Sequence, residues 1–178
     1  MIGVFKRSRT DYYYASIELA SIEPNDTEPI TYVDGWYWAN RNQSASLEID
    51  QQIWYYYEDN VPLKGLNKIA TSNNGGSTYY YYFDNTGVMQ VGWVYYDGVY
   101  HLYSPIDYDG GGDLDGRRIQ SCTNSRLLVP VNGTNYYFDR QGVCYTCSSG
   151  NCLCNENDTL SRVNSISISE ANYRCNGD

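Results

Sequence analysis

Residues 78–102 read TYYYYFDNTGVMQVGWVYYDGVYHL, and this stretch decides the fold of the chain. It contains an aromatic run at residues 79–83, a turn-rich segment, a Gly-Trp pair and a second aromatic pair at residues 95–96. Aromatic runs that Asn, Asp and Gly interrupt every few residues are typical of short β-hairpins. The run is too aromatic for strict inside-outside alternation, so one face of each hairpin must present rings to a neighbour or to a ligand. The stretch therefore predicts a ladder of hairpins.

The same pattern recurs along the chain, which is the signature of a repeat architecture. Four copies begin at Trp54, Tyr80, Tyr100 and Asn135. The first two copies align well, with one residue deleted at the turn. The third copy is weak, and it carries Arg117 where the others place Trp93 or Leu66. The sequence therefore contains a degenerate repeat.

The order of these elements resembles a known family. A Gly-Trp pair, an aromatic triplet, an acidic turn and another Gly-Trp pair are similar to the cell-wall-binding repeats of Gram-positive surface proteins. That family includes choline-binding and glucan-binding modules and related repeats at the receptor-binding end of large clostridial toxins. The resemblance spans residues 34–147 and is strongest over residues 54–93. It implies a solenoid of β-hairpins with ligand sites between consecutive repeats, each site being a small cage of aromatic side chains.

Composition supports an array of this kind. The chain has 178 residues, a net charge of −9, 21 Tyr and 4 Trp. Each buried aromatic ring removes about 150–250 Å² from water, so stacked rings can supply a core that aliphatic residues do not. We predict an all-β, solenoid-like array of short hairpin repeats with a Cys-rich C-terminal segment. The expected parts are an N-terminal segment (1–31), the repeats (32–121) and a last degenerate repeat with a Cys-rich cap (122–178).

The acidity of the chain limits its partners. A chain with a pI near 4.5 and no basic patch among its aromatic residues is a poor partner for nucleic acid. Acidity suits a cationic ligand, because ring faces attract quaternary ammonium groups and nearby carboxylates reinforce the attraction. Sugar rings could also stack on Tyr and Trp without any charge. Choline-bearing teichoic acid and a cell-wall glucan are therefore both predicted ligands.

Two candidate ligand sites follow from the repeats and the resemblance. In the first, Trp36, Trp54 and Tyr56 line a site with rings of the next repeat. The second is expected to contain the side chains that surround the best-matching copy, namely Tyr80, Tyr82, Met89, Trp93 and Tyr100. Rings at alternate positions of one strand share a face, which is why Tyr80 and Tyr82 are compatible with each other. The alternative is that any one of these rings is simply part of the core.

An acidic loop is a candidate calcium site. Its four carboxylates belong to Asp107, Asp109, Asp113 and Asp115. Aspartates among glycines suit Ca²⁺, which takes oxygen ligands on a flexible loop. An EF-hand loop that began at Asp107 would need Glu at its twelfth position, which Arg118 occupies. An acidic turn within a degenerate repeat explains the same residues, and no other cofactor is predicted.

All six cysteines lie in the C-terminal third of the chain. They are Cys122, Cys144, Cys147, Cys152, Cys154 and Cys175. An even number confined to one region indicates three disulfides formed in an oxidising compartment. Zinc binding and free thiols remain alternatives, although no His or further CxxC completes a familiar zinc pattern. The repeats of the family are usually free of Cys, so this segment is interpreted as a separate cap.

The sequence does not support catalysis. It has one His, no nucleophile elbow and no Gly-rich phosphate loop, and its acidic residues lie mainly in turns. Residues 1–30 lack the apolar core of a secretory signal, and no run approaches the ~18 apolar residues that span a bilayer. We interpret the chain as a non-catalytic extracellular or cell-surface module. The alternative is a structural subunit of an extracellular fibre or appendage, in which the tyrosines pack and the edge strands serve self-assembly.

Overall fold

The computed structural model describes residues 2–6, 13–17, 34–39, 52–70, 78–104 and 116–166. These residues form short β-strands and one 3₁₀ helix, Glu156–Asp158. The strands are β1 (Ile2–Lys6), β2 (Tyr13–Ile17), β3 (Gly35–Trp38), β4 (Trp54–Glu58), β5 (Val61–Pro62), β6 (Gly65–Ala70), β7 (Thr78–Phe83), β8 (Gly92–Tyr96), β9 (Val99–Tyr103), β10 (Leu127–Val131), β11 (Thr134–Phe138) and β12 (Cys144–Tyr145). The prediction of an all-β fold built from short hairpins is confirmed.

The strands group into four small sheets. The first has the order β1-β2-β3-β4-β5, and within it β2 and β3 are parallel while the other neighbours are antiparallel. The next two sheets are the hairpins β6-β7 and β8-β9, and the last is the antiparallel sheet β10-β11-β12. Across the described ranges, no helix is long and apolar enough to cross a membrane.

Three of the hairpin loops consist of two residues. They are Asp59-Asn60 between β4 and β5, Asp97-Gly98 between β8 and β9, and Asn132-Gly133 between β10 and β11. Both residues of each loop have positive φ angles, from 50° to 81°. Such loops match the right-handed twist of the flanking strands, and Asn, Asp and Gly adopt positive φ at the least cost. The sequence therefore determines these turns locally.

Backbone hydrogen bonds join successive copies of the repeat. The amide of Met89 donates to the carbonyl of Trp54 at 2.8 Å, and the amide of Arg118 donates to the carbonyl of Tyr80 at 2.8 Å. Trp54 and Tyr80 are the first residues of the first two copies. The first copy thus bonds to the second, the second copy bonds to the residue that follows Arg117 of the third, and the three copies are linked in chain order.

The described side chains form two hydrophobic clusters. The smaller contains Ile69, Tyr81, Phe83 and Met89. Most members of the larger cluster are aliphatic. It contains Leu102, Ile119, Leu127, Val129, Val131, Tyr136, Phe138, Cys144, Cys154, Val163 and Ile166. Leu102 and Ile119 therefore share a core with residues of the Cys-rich segment. The boundary expected between residues 121 and 122 stays a prediction.

The Cys-rich segment is cross-linked. Cys144 bonds to Cys154, and Cys147 bonds to Cys152. Cys122 is disulfide-bonded as well, and Cys175 lies outside the described residues. These bonds agree with the disulfide interpretation of the sequence. Because Cys144 and Cys154 are buried in the larger cluster, their bond ties the segment directly to the core of the last sheet.

The side chain of Asn132 fastens the end of the described chain to the β10–β11 loop. Its Oδ1 accepts from the amides of Asn164 and Ser165 at 2.8 and 3.1 Å, and its Nδ2 donates to the carbonyl of Arg162 at 2.7 Å. Its φ angle is 50°, which Asn tolerates better than most residues. Asn132 therefore serves both the turn and the docking of residues 162–166.

Replacement of Asn132 is expected to release that segment. Asn132→Gly keeps the turn but loses three hydrogen bonds and should lower the free energy of unfolding by about 1 kcal/mol. Asn132→Ala adds strain at positive φ and should lower it by about 2 kcal/mol. Urea unfolding measures both losses, and hydrogen exchange at the Asn164 and Ser165 amides reports the docking. Unchanged protection of those amides in both variants would contradict this role.

Candidate functional site

The first predicted ligand site is assembled in the structure around Trp36. On β3, Trp36 lies opposite Tyr56 of β4, and its ring centroid is 5.1 Å from that of Tyr56 and 6.4 Å from that of Trp54. The following hairpin contributes two more rings, with centroids at 4.9 Å for Tyr81 and 6.0 Å for Phe83. We call these five residues the Trp36 cluster. The structure thus brings Trp36, Trp54 and Tyr56 together with rings of the next repeat.

The Trp36 cluster rests on buried apolar residues. Met89 and Ile69 are buried in the same hydrophobic cluster, while Trp36, Trp54 and Tyr56 are only partly buried. The interplanar angles of Trp36 with Trp54, Tyr56 and Tyr81 lie between 68° and 84°, so these rings meet edge to face. Rings at such angles and distances pack edge against face. The cluster therefore combines buried side chains with three aromatic rings that are partly exposed to solvent.

Two carboxylates give the Trp36 cluster a negative field. The pKa of the Tyr56 hydroxyl is raised, first by burial and then by the negative charges of Glu58 and Asp34. Both carboxylates are exposed to solvent. A cation that approaches the rings would be attracted by these carboxylates as well as by the ring faces.

The second predicted site is divided in the structure. The ring of Trp93 packs against Tyr136 at 5.0 Å and Phe138 at 6.2 Å, both on β11 of the next hairpin. Tyr100 packs against the same larger hydrophobic cluster as Trp93. Met89 belongs instead to the smaller cluster, with the Trp36 rings. Trp93 and Tyr100 therefore lie together, whereas the remaining members of the predicted set lie elsewhere.

Tyr80 and Tyr82 contact residues on a different side of the β6–β7 hairpin. The guanidinium carbon of Arg118 lies 4.1 Å from the Tyr80 ring centroid. Tyr82 stacks on Tyr96 with a centroid distance of 4.8 Å and an interplanar angle of 17°. Alternation along β7 places Tyr80 and Tyr82 on the face opposite to Tyr81 and Phe83. Trp93 packs instead against Tyr136 and Phe138 on β11.

The Trp93 environment repeats the Trp36 cluster with one difference. Trp36 meets Tyr81 at 4.9 Å, and Trp93 meets Tyr136 at 5.0 Å, in both cases edge to face. The residue that pairs with Trp36 across the hairpin is Tyr56, whereas the residue that pairs with Trp93 is Leu102. The Trp93 environment therefore lacks one ring, and the Trp36 cluster is the more complete aromatic site.

Sequence reasoning did not assign four of the rings in these two sites. They are Tyr81, Phe83, Tyr136 and Phe138. A signal was present, because the pattern Y-Y-F-D-x-x-G-V occurs at residues 81–88 and again at residues 136–143. In each copy the first Tyr and the Phe alternate on one strand, so both face the Trp of the preceding hairpin.

The Asp of this pattern shapes the turn that follows the rings. Oδ1 of Asp84 accepts from the amides of Thr86 and Val88 at 2.8 and 3.0 Å. Oδ1 of Asp139 accepts from the equivalent amides at 2.9 and 3.0 Å. Burial by itself would raise the pKa of Asp84, but the hydrogen bonds from Thr86, Val88 and Gly87 outweigh it and lower that pKa. The aspartates are therefore turn-forming residues.

His101 is the only histidine of the chain and lies in a buried stack. It is 3% exposed, and its ring lies 4.0 Å from that of Tyr96 at an interplanar angle of 12°. Neither ring nitrogen makes a hydrogen bond of normal geometry to any described residue. Two effects lower the pKa of His101 to about 4: burial, which is the larger, and the positive charge of Arg118. The backbone of Gly142 and the charges of Asp139 and Asp97 act in the opposite direction and are smaller. The buried imidazole therefore packs against Tyr96 in its neutral form.

The buried imidazole predicts a pH dependence of stability. The unfolded chain binds a proton near pH 6.5, whereas the folded chain binds it only near pH 4. Stability is therefore expected to fall by about 2–3 kcal/mol as the pH drops through this window. His101→Phe keeps the stacked ring and removes the titrating group, so its free energy of unfolding should fall less over the same window. Urea unfolding at several pH values measures both, and equal losses in the two proteins would refute the assignment.

The predicted calcium ligands Asp107, Asp109, Asp113 and Asp115 lie outside the described residues. The structure therefore does not test the calcium hypothesis, which stays a prediction.

Comparison with known proteins gives distant structural similarities. No protein-family model and no curated protein matches the chain. Among solved structures, it is similar to choline binding protein F from Streptococcus pneumoniae, with 19% identity and a TM-score of 0.42 over 63% of this chain and 28% of that chain. It is also similar to CbpJ from Streptococcus pneumoniae TIGR4, with 15% identity and a TM-score of 0.46 over 81% of this chain and 59% of that chain. The chain thus matches less than two thirds of the length of either protein.

Proposed function

We propose that the chain is a non-catalytic, extracellular module that binds a choline-bearing cell-wall polymer, with the Trp36 cluster as its ligand site. The observation that carries the proposal is the convergence of five rings from two successive hairpins beside the carboxylates of Asp34 and Glu58. The trimethylammonium group of choline is the ligand that such a combination suits best.

The chemistry of the site follows from the ring faces. A quaternary ammonium group has no hydrogen-bond donor, so little hydrogen bonding to water is lost when it enters an aromatic site. Each desolvated ring can contribute up to about 2 kcal/mol through its quadrupole. Asp34 and Glu58 raise the local concentration of cations without contacting the methyl groups directly.

The geometry favours choline over a glucan. A sugar ring stacks on an exposed, flat aromatic face, whereas Trp36 meets three of its neighbours edge to face. A neutral sugar would also gain nothing from the negative field at Tyr56. The same rings therefore support a cationic ligand more strongly than a saccharide.

A titration with matched ligands tests the proposal. Tryptophan fluorescence would be recorded during addition of choline, of its neutral analogue with a tert-butyl group in place of trimethylammonium, and of an α-glucan oligosaccharide. We expect a saturable response to choline, a response at least about tenfold weaker to the neutral analogue, and none to the oligosaccharide. Equal affinity for choline and its neutral analogue would contradict a cation site, and a response to the oligosaccharide alone would indicate a glucan module.

The same sample tests the assembly alternative. Light scattering on the non-reduced protein gives its mass in solution, which is 20.4 kDa for a single chain. A large oligomer that ignores all three ligands would support a self-assembling subunit and would overturn the binding proposal.

A further inference from the structure

One position recurs at the end of each hairpin copy. It pairs with the last aromatic residue of the copy and is occupied by Pro62 opposite Tyr57, Met89 opposite Phe83, Arg118 opposite Tyr103 and Cys144 opposite Phe138. Met89 and Arg118 also donate the equivalent backbone hydrogen bonds, to Trp54 and Tyr80. Arg118 therefore has the same position relative to Tyr80, the first residue of the second copy, as Met89 has relative to Trp54, the first residue of the first copy.

The side chain of Arg118 lies among aromatic rings. Its guanidinium carbon is 4.1 Å from the Tyr80 ring centroid, and its Nη1 is 3.4 Å from the hydroxyl of Tyr96. Tyr96 in turn stacks on Tyr82. Where the second and third copies meet, a positive charge that belongs to the chain itself thus lies over Tyr80 and beside Tyr96.

Other contacts hold the guanidinium in this position. Its Nε and Nη2 both donate to Oε1 of Gln120, at 2.9 and 2.6 Å. The stem of the side chain packs on Gly142, where a Cβ atom would lie 2.8 Å from Cδ of Arg118. Gly142 also has a φ angle of 72°, so both the close contact and the backbone favour glycine there.

We infer that Arg118 is an internal cation that occupies the aromatic site between the second and third hairpin copies, and that it excludes a quaternary ammonium ligand from that site. A tethered guanidinium acts at a high effective concentration, so a free ligand competes poorly with it. Leu66, which is 41% exposed, stands at the place of Trp36 in this copy, so the second copy lacks that ring. The inference rests on the proposed function in its choice of ligand.

The test replaces Arg118 with methionine, the residue that the second copy carries at this position. Isothermal titration with tetramethylammonium chloride would be performed on the unmodified chain and on Arg118→Met. We expect the variant to bind one more ligand per chain than the unmodified protein. Arg118→Lys retains a cation and should bind the unmodified number. Arg126→Met removes a guanidinium that lies 3.3 Å from the Tyr145 ring centroid, outside the repeated position, and should also leave the number unchanged.

The outcomes separate this inference from the proposed function. If the unmodified protein binds tetramethylammonium and Arg118→Met binds the same number of ions per chain, the inference is wrong and the proposed function stands. Binding only by Arg118→Met would support the inference and remove the Trp36 cluster as a ligand site. No binding by either protein would overturn both. Near-ultraviolet circular dichroism verifies folding, and Arg118→Gln, which can still bond to Gln120, replaces the Met variant if that variant is unfolded.

Discussion

Replacement of Trp36 by alanine is expected to weaken choline binding at least about 30-fold, which corresponds to the loss of about 2 kcal/mol from one desolvated cation–ring interaction. The ring of Trp36 contacts the other four rings of its cluster, at centroid distances from 4.9 to 6.4 Å. Its removal leaves Tyr56 and Tyr81 without the ring that lies between them. Titration calorimetry with choline measures the loss.

The matched comparison is Trp93→Ala. Trp93 has the same relation to Tyr136 that Trp36 has to Tyr81, but Leu102 replaces the paired ring of Tyr56. If the Trp36 cluster is the principal site, Trp93→Ala should change the affinity by less than about twofold while costing similar stability. Trp36→Phe retains one ring face and should bind with intermediate affinity. An equal loss in the Trp36 and Trp93 alanine variants would show that binding follows stability instead of the site.

Replacement of Phe138 by alanine is expected to lower the free energy of unfolding by about 3–5 kcal/mol. Phe138 is 0% exposed and lies in the larger cluster with Cys144 and Val129, beside the ring of Trp93. The disulfide between Cys144 and Cys154 restricts how far the surrounding residues can close the cavity, so little of the loss should be recovered. Guanidinium unfolding of the non-reduced protein measures it.

Leu128→Ala is the control for this prediction. Leu128 lies on the neighbouring strand β10 and is 45% exposed, so its truncation should change stability by less than about 0.5 kcal/mol. The contrast separates burial from any general sensitivity of the last sheet. A loss below about 1 kcal/mol for Phe138→Ala would mean that this core is less closely packed than the structure indicates.

The hairpins could be predicted from the sequence because their causes are local. The loops Asp97-Gly98 and Asn132-Gly133 supply the positive φ angles of two-residue turns, and the aromatic runs on either side supply the strands. The first ligand site could also be proposed, from the repeats and the family resemblance, and the structure pairs Trp36 with Tyr56. The turns depend on neighbours within a single hairpin, whereas the site also needs rings of the next hairpin.

The second site shows the limit of such reasoning. Trp93, Tyr80 and Tyr82 are close in sequence, but Trp93 packs on the hairpin that follows it, and the two tyrosines contact Arg118 and Tyr96. Which face of a hairpin meets which neighbour depends on how the hairpins stack. The run of four tyrosines offers rings on both faces, so alternation could not decide between them.

By itself, the sequence determined that this chain is a series of short β-hairpins with aromatic faces, because turn residues and side-chain alternation act over a few neighbouring positions. The tertiary structure decided which rings converge, how Cys144, Cys147, Cys152 and Cys154 pair, and where the charge of Arg118 lies. The two disulfides span only 10 and 5 residues, but the sequence does not choose among the possible pairings. The convergence of the rings and the position of Arg118 depend on contacts between separate hairpins. Such contacts form only when the register of one hairpin on the next is set, and no local pattern of residues specifies that register.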